Sequence, residues 1–117
     1  MRIVDRRTFL ALPAGTLFSK YVPCIFESLK IKGDSTENDF HDQSIEDAVR
    51  CSGSEEFEDV LFAAQRDGTS FAMDFDSVMR DGLYDKAQLF AVWEPSDVVA
   101  LIERLKLALQ AASSSPR

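Results

Sequence analysis

Cysteine is scarce in this sequence: 117 residues hold two, Cys24 and Cys51, far apart and outside any C-x-x-C pair. That number excludes the disulfide lattice of small secreted domains and points to a reducing compartment. With a single histidine, His41, only three thiol or imidazole ligands exist, and none has the local spacing of a zinc site. The five glycines fall in no G-x-G-x-x-G, P-loop or G-x-S-x-G pattern, so dinucleotide loops, phosphate loops and nucleophile elbows are excluded. No apolar run approaches the length that crosses a bilayer, which excludes a membrane-spanning helix. Positive charge is also in deficit, 13 Lys and Arg against 20 Asp and Glu for a net charge of −7. Nucleic-acid affinity comes largely from cations that neutralise phosphates, so direct nucleic-acid binding is not expected.

What is present suits one soluble domain. The chain is 45% hydrophobic and 28% charged, and its length matches a single core. We expect one globular domain over residues 1–112 and a flexible tail over 113–117. Arg6-Arg7-Thr8-Phe9-Leu10 resembles a twin-arginine export motif. The apolar run behind it is broken by Pro13 and Gly15, and no small-residue cleavage site follows. The chain is therefore expected to act in the cytoplasm without a removed leader.

Local signals place most of the elements. Asp5 is positioned to cap a short N-terminal helix, with Val4 stapled on Phe9 across the cap, and Pro13-Ala14-Gly15 ends it. Thr16–Val22 and Ile25–Lys32 read as strands, the second by its alternation of apolar and polar residues, with Gly33-Asp34-Ser35 as the following turn. Residues 34–53 carry few anchors and no clear period. A helix over 55–67 follows Ser54, with acids at its positive end and Gly68 at its stop. Phe71, Met73 and Phe75 alternate as a strand, and Arg80-Asp81-Gly82 reads as a turn. Leu89–Trp93 is a continuous apolar run suited to a central strand. Pro95 opens a helix over 95–112 whose Val98, Leu101, Ile102, Leu105 and Leu109 share one face. The fold class that results is α+β, an antiparallel or mixed β-sheet packed by two main helices and the short N-terminal one. Phe57, Phe71, Phe75, Phe90 and Leu105 are the expected core, and Phe62 and Tyr84 fall outside every apolar face.

Chemistry-bearing constellations are thin. Asp74, Asp76 and Asp81-Gly82 fail the calcium-loop template because Val78 and Met79 stand where an oxygen ligand and the turn glycine belong. Cys24 or Cys51 with His41 would make a thiol nucleophile and base only if the fold brought them together, and free cysteine is more often a small buried hydrophobe. No metal and no cofactor are expected. The charge, however, is strongly segregated. Residues 34–59 hold Asp34, Glu37, Asp39, Asp42, Glu46, Asp47, Glu55, Glu56, Glu58 and Asp59 against Arg50 alone, whereas the preceding segment is net basic. A field of that sign steers a basic partner, and Arg80 and Tyr84 are added as contact residues.

Phe9-Leu10-Ala11-Leu12-Pro13-Ala14-Gly15-Thr16, Lys30-Ile31-Lys32-Gly33, Arg80-Asp81-Gly82-Leu83 and Phe90-Ala91-Val92-Trp93-Glu94 together resemble small proteins encoded by bacteriophages and prophages. The resemblance implies a bacterial host cytoplasm and transfers no site residue. The expectation is a non-catalytic binding protein, an inhibitor whose acidic surface docks on a basic host protein of defence or nucleic-acid handling. Three other readings remain open: an immunity protein or antitoxin, a small thiol-dependent enzyme, and a nucleotide-binding sponge. The last would require Arg6, Arg7, Arg80 or Lys20 to gather in one pocket.

Overall fold

The computed structural model describes residues 1–114, so residues 115–117 of the expected tail lie outside the described residues. Six strands, β1 (Arg2–Val4), β2 (Leu17–Val22), β3 (Ile25–Thr36), β4 (Asp39–Ser44), β5 (Met79–Arg80) and β6 (Leu89–Val92), form one sheet. Three helices accompany it: α1 (Arg6–Leu10), α2 (Ser54–Asp67) and α3 (Pro95–Ser114). The strand order is β1-β6-β2-β3-β4-β5 with every pairing antiparallel, so the fold is α+β and the sheet is not mixed.

The core forms where α1 lies on the sheet. Asp5 Oδ1 accepts the Thr8 N–H at 2.8 Å, which caps the helix as the sequence suggests. The cap drops Phe9 onto β6. Its ring stacks on Phe90 at 4.0 Å between centroids and meets Phe18 at 4.6 Å and Phe40 edge-on at 4.9 Å. All four rings are fully buried, with Val92 among them and Val4, Leu10 and Leu12 packed around. The apolar run at 89–92 is indeed a central strand, flanked by β1 and β2.

Several expectations are corrected. Gly33-Asp34-Ser35 is not a turn, because β3 runs on to Thr36 and reverses at Glu37-Asn38, where Glu37 takes φ of +39°. Gly33 sits inside the strand because its backbone lies against β4: a Cβ there would stand 3.0 Å from His41 Cβ. β1 has only three residues, too few to show a period. Phe71–Phe75 does not form a strand of the sheet. It contributes one bridge, Val49 to Met73, flanked by bonds from Arg50 N to Ala72 O and from Asp74 N to Ala48 O, and leaves Phe71 and Phe75 exposed. Arg80 belongs to β5, and the chain leaves that strand through Asp81 and Gly82, which takes φ of +69°. α3 continues through Ser114, whose hydroxyl donates to the Gln110 carbonyl, so Ser113 and Ser114 are helical and not tail.

The largest correction concerns the two long helices. Neither α2 nor α3 packs extensively on the sheet, and neither contains a buried residue. Phe57 is half-buried, and Ile102, Leu105 and Leu109 are exposed, Leu105 at 55%. The radius of gyration of 16.4 Å reflects this, exceeding the roughly 13 Å of a compact chain of this length. Periodicity reports that a helix has an apolar face, not that a surface within the chain covers it.

Candidate functional site

Strand alternation builds an ionic cluster beside the aromatic core. Lys20 lies two residues beyond Phe18, Asp42 two beyond Phe40, and Lys30 pairs across from Phe18, so all three share the α1 side of the sheet. Arg6 reaches in from α1. Its Nη2 donates to the Asn38 carbonyl at 2.7 Å and lies 3.8 Å from Asp39 Oδ1, while Nη1 lies 3.5 Å from Asp81 Oδ2. Asp81 also pairs with Lys20, Asp42 with Lys30 at 3.5 Å, and Asp39 with Arg80 at 3.1 Å.

Two carboxylates of this cluster titrate in opposite directions. Burial drives the Asp39 carboxyl upward, but the N–H groups of Gly82 and Phe40 and the charges of Arg80 and Arg6 outweigh it and hold the group below its ordinary value. Burial of Asp42 is offset only in part by Lys30, and the like charge of Asp81 adds to it, so its pKa is raised. Among the described residues, nothing donates an aligned hydrogen bond to Asp39 Oδ2 or Asp42 Oδ1. The cluster is thus well anchored around Asp39 and under-satisfied at Asp42.

The anchoring shapes the adjacent surface. Asp39 Oδ1 accepts the Gly82 N–H at 3.0 Å and Asp81 N donates to the Phe40 carbonyl at 3.0 Å, which ties the segment after β5 to β4. Further along that segment Tyr84 holds φ of +56°, a left-handed conformation that bulky residues avoid unless their surroundings impose it. Between this segment, α1 and the β3–β4 turn lies a cleft of about 580 Å³, lined by Arg6, Arg7, Leu10, Glu37, Tyr84 and Lys86 among others.

The sequence-predicted contact residues do not share one surface. Asp39 and Asp42 are only 2% exposed and belong to the buried cluster, a correction to their place in an acidic face. Their alternation partners decided this: each lies beside or two residues from Phe40, the innermost residue of β4. The other eight acids are exposed. Asp34 lies near the end of β3 and Glu37 in the β3–β4 reversal; Glu46 accepts the Leu29 N–H, and Asp47 stands beside it in the connection to α2. Glu55, Glu56, Glu58 and Asp59 occupy the first turns of α2, where Glu56 also accepts the Ser52 N–H at 2.8 Å. Arg80 is exposed on β5 and held by Asp39, and Tyr84 lies at the cleft. Phe62 and Tyr84 are both exposed, as their positions off the apolar faces imply.

The basic residues named for an anionic site are partly gathered: Arg6 and Lys20 both pair with Asp81, Arg6 and Arg80 both flank Asp39, and Arg7 lines the cleft. Sequence reading put Lys30 on the polar side of its strand and Asp81 in a turn, and so named neither as a member of this cluster.

Cys24 is exposed, not buried, because it takes the left-handed third position of the Val22-Pro23-Cys24-Ile25 reversal at φ of +66°. Cys51 lines a groove of about 410 Å³ with Phe57 and Asp74, and His41 a separate one with Ile31 and Gln43. The fold therefore gathers no thiol with the imidazole in a described cavity. Among the described residues no three His, Cys, Asp or Glu side chains converge as metal ligands, and no helix is long and apolar enough to cross a membrane. No protein-family model matches this chain, and neither does any curated protein or solved structure.

Proposed function

We propose that this chain is a non-catalytic binding protein of bacteriophage origin that docks on a basic host protein through the exposed side of α2. One observation carries the reading. Glu55, Glu58, Asp59 and Phe62 fall at i, i+3, i+4 and i+7 on α2, all exposed, while Phe57, Val60, Leu61 and Ala64 are half-buried on the other side. An exposed aromatic ring flanked by three carboxylates matches the anatomy of protein interfaces, an apolar anchor within a charged rim. The remaining exposed acids, at the β3–β4 end and before α2, extend the negative field that draws a basic partner in.

The two parts act on different rate constants. Rim carboxylates steer encounter through a field screened over about 8 Å at physiological salt and so govern the on-rate. A buried aromatic anchor governs the off-rate. The test is affinity capture from a bacterial host, followed by binding kinetics on the captured partner across a salt series. Replacing Glu55, Glu56, Glu58 and Asp59 by Gln or Asn lowers the on-rate severalfold, and Phe62→Ala raises the off-rate. An on-rate indifferent to both salt and the fourfold substitution removes the acidic face from the function.

A further inference from the structure

We propose that the cleft between α1, the β3–β4 reversal and the segment after β5 binds a small phosphorylated ligand of the mononucleotide class, at a site separate from the α2 face. Arg7 and Lys86 line this cleft and form no ion pair within 4 Å among the described residues, although the protein carries net charge −7 and the cations of the neighbouring cluster are neutralised by aspartates. Arg6 is not free to bind: Asn38, Asp39 and Asp81 engage its guanidinium, so it positions the wall and leaves Arg7 and Lys86 as the phosphate ligands. The exposed ring of Tyr84, on a backbone of left-handed φ, offers a stacking platform for a base. Leu10 and Ala11 add apolar lining beneath a planar group.

Glu37 is the carboxylate that lines the cleft. Against a bare anion it would be a liability, and next to a ribose it is an asset, because a carboxylate accepts from sugar hydroxyls in dinucleotide sites. Phosphate on Arg7 and Lys86, ribose on Glu37 and base on Tyr84 account for every charged or aromatic lining group that the internal cluster leaves unused. The volume of about 580 Å³ is ordinary for a small-ligand site.

Isothermal titration of the full chain at low salt, with AMP, adenosine, ribose 5-phosphate and inorganic phosphate as probes, tests the assignment. AMP binds at least tenfold more tightly than adenosine, which lacks the phosphate contact, and than inorganic phosphate, which lacks the ribose and base contacts. Arg7→Gln and Lys86→Gln each weaken AMP roughly tenfold and leave adenosine unchanged, as expected for the loss of one charge-assisted contact. Tyr84→Leu weakens AMP and adenosine roughly five- to tenfold and leaves ribose 5-phosphate unchanged. Glu58→Gln on α2 leaves AMP affinity as it is, which separates this site from the docking face. AMP binding no tighter than phosphate, absent at millimolar concentration, or unaffected by Arg7→Gln overturns the proposal.

Discussion

Removing the Phe9 ring should carry one of the largest single-truncation costs in this fold. The side chain is fully buried and contacts three other buried rings, with centroid separations of 4.0, 4.6 and 4.9 Å. A buried aromatic removes roughly 150–250 Å² from water, which at about 25 cal/mol per Å² is a gross stabilisation of about 4–6 kcal/mol. Alanine retains some of that burial and the neighbours close part of the cavity, so Phe9→Ala is expected to lose about 3–5 kcal/mol. Leu105→Ala is the internal control. Its apolar periodicity on α3 would place it in a core and assign a loss of about 2–5 kcal/mol, whereas its 55% exposure limits the loss to about 0.5 kcal/mol. Urea unfolding followed by circular dichroism separates the two. With a slope of about 1–3 kcal/mol per molar, the Phe9 variant shifts its midpoint by about 2 M while the Leu105 variant stays near wild type. A Leu105 loss larger than the Phe9 loss would show that α3 is packed and would refute the placement of the core under α1.

Gly33→Ala should destabilise the sheet by about 1–3 kcal/mol, because the new methyl meets His41 Cβ and its backbone carbonyl at 3.0 and 3.3 Å; an unchanged melting temperature would mean that β3 and β4 can separate freely there. The pH dependence of two neighbours should run in opposite senses. Asp39 titrates below 3.8 in the fold, so its contribution is present above pH 3.8 and is lost as pH falls through its depressed value; Asp39→Asn is therefore destabilising at pH 7, and the penalty fades towards pH 3. Asp42 titrates above 3.8, so its contribution favours the fold below pH 3.8 and is lost as pH rises through its raised value; Asp42→Asn leaves the protein at least as stable at pH 7, and melting curves from pH 3 to 7 that rank the variants the other way refute the assignment. Replacing Cys24, Cys51 and His41 together should leave partner binding intact in a chain that still folds, and loss of function in the folded triple variant would restore the thiol-enzyme reading.

Short-range spacing determined a good part of this molecule. Asp5 and Thr8 are three residues apart, so the cap of α1 and the placement of Phe9 follow from neighbours in the chain. The apolar run of β6 implied burial on both faces, and Ser54, Gly68 and Pro95 marked helix ends where the ends are found. The acidity of α2 was equally legible, since charge is carried by composition. Tertiary structure alone decided the rest. Gly33 lies in a strand because β4 returns against it, and Phe71 and Phe75 stay exposed although residues 48–50 come back to meet that segment. Arg6, Lys20, Lys30, the β4 pair Asp39 and Asp42, and Asp81 come from five separate stretches of sequence, and no local period connects those stretches. Asp39 and Asp42 looked like surface acids because a carboxylate's local pattern is the same in water and in a paired interior. What distinguishes them is the distant cation that compensates desolvation, and that cation is placed only when the sheet closes.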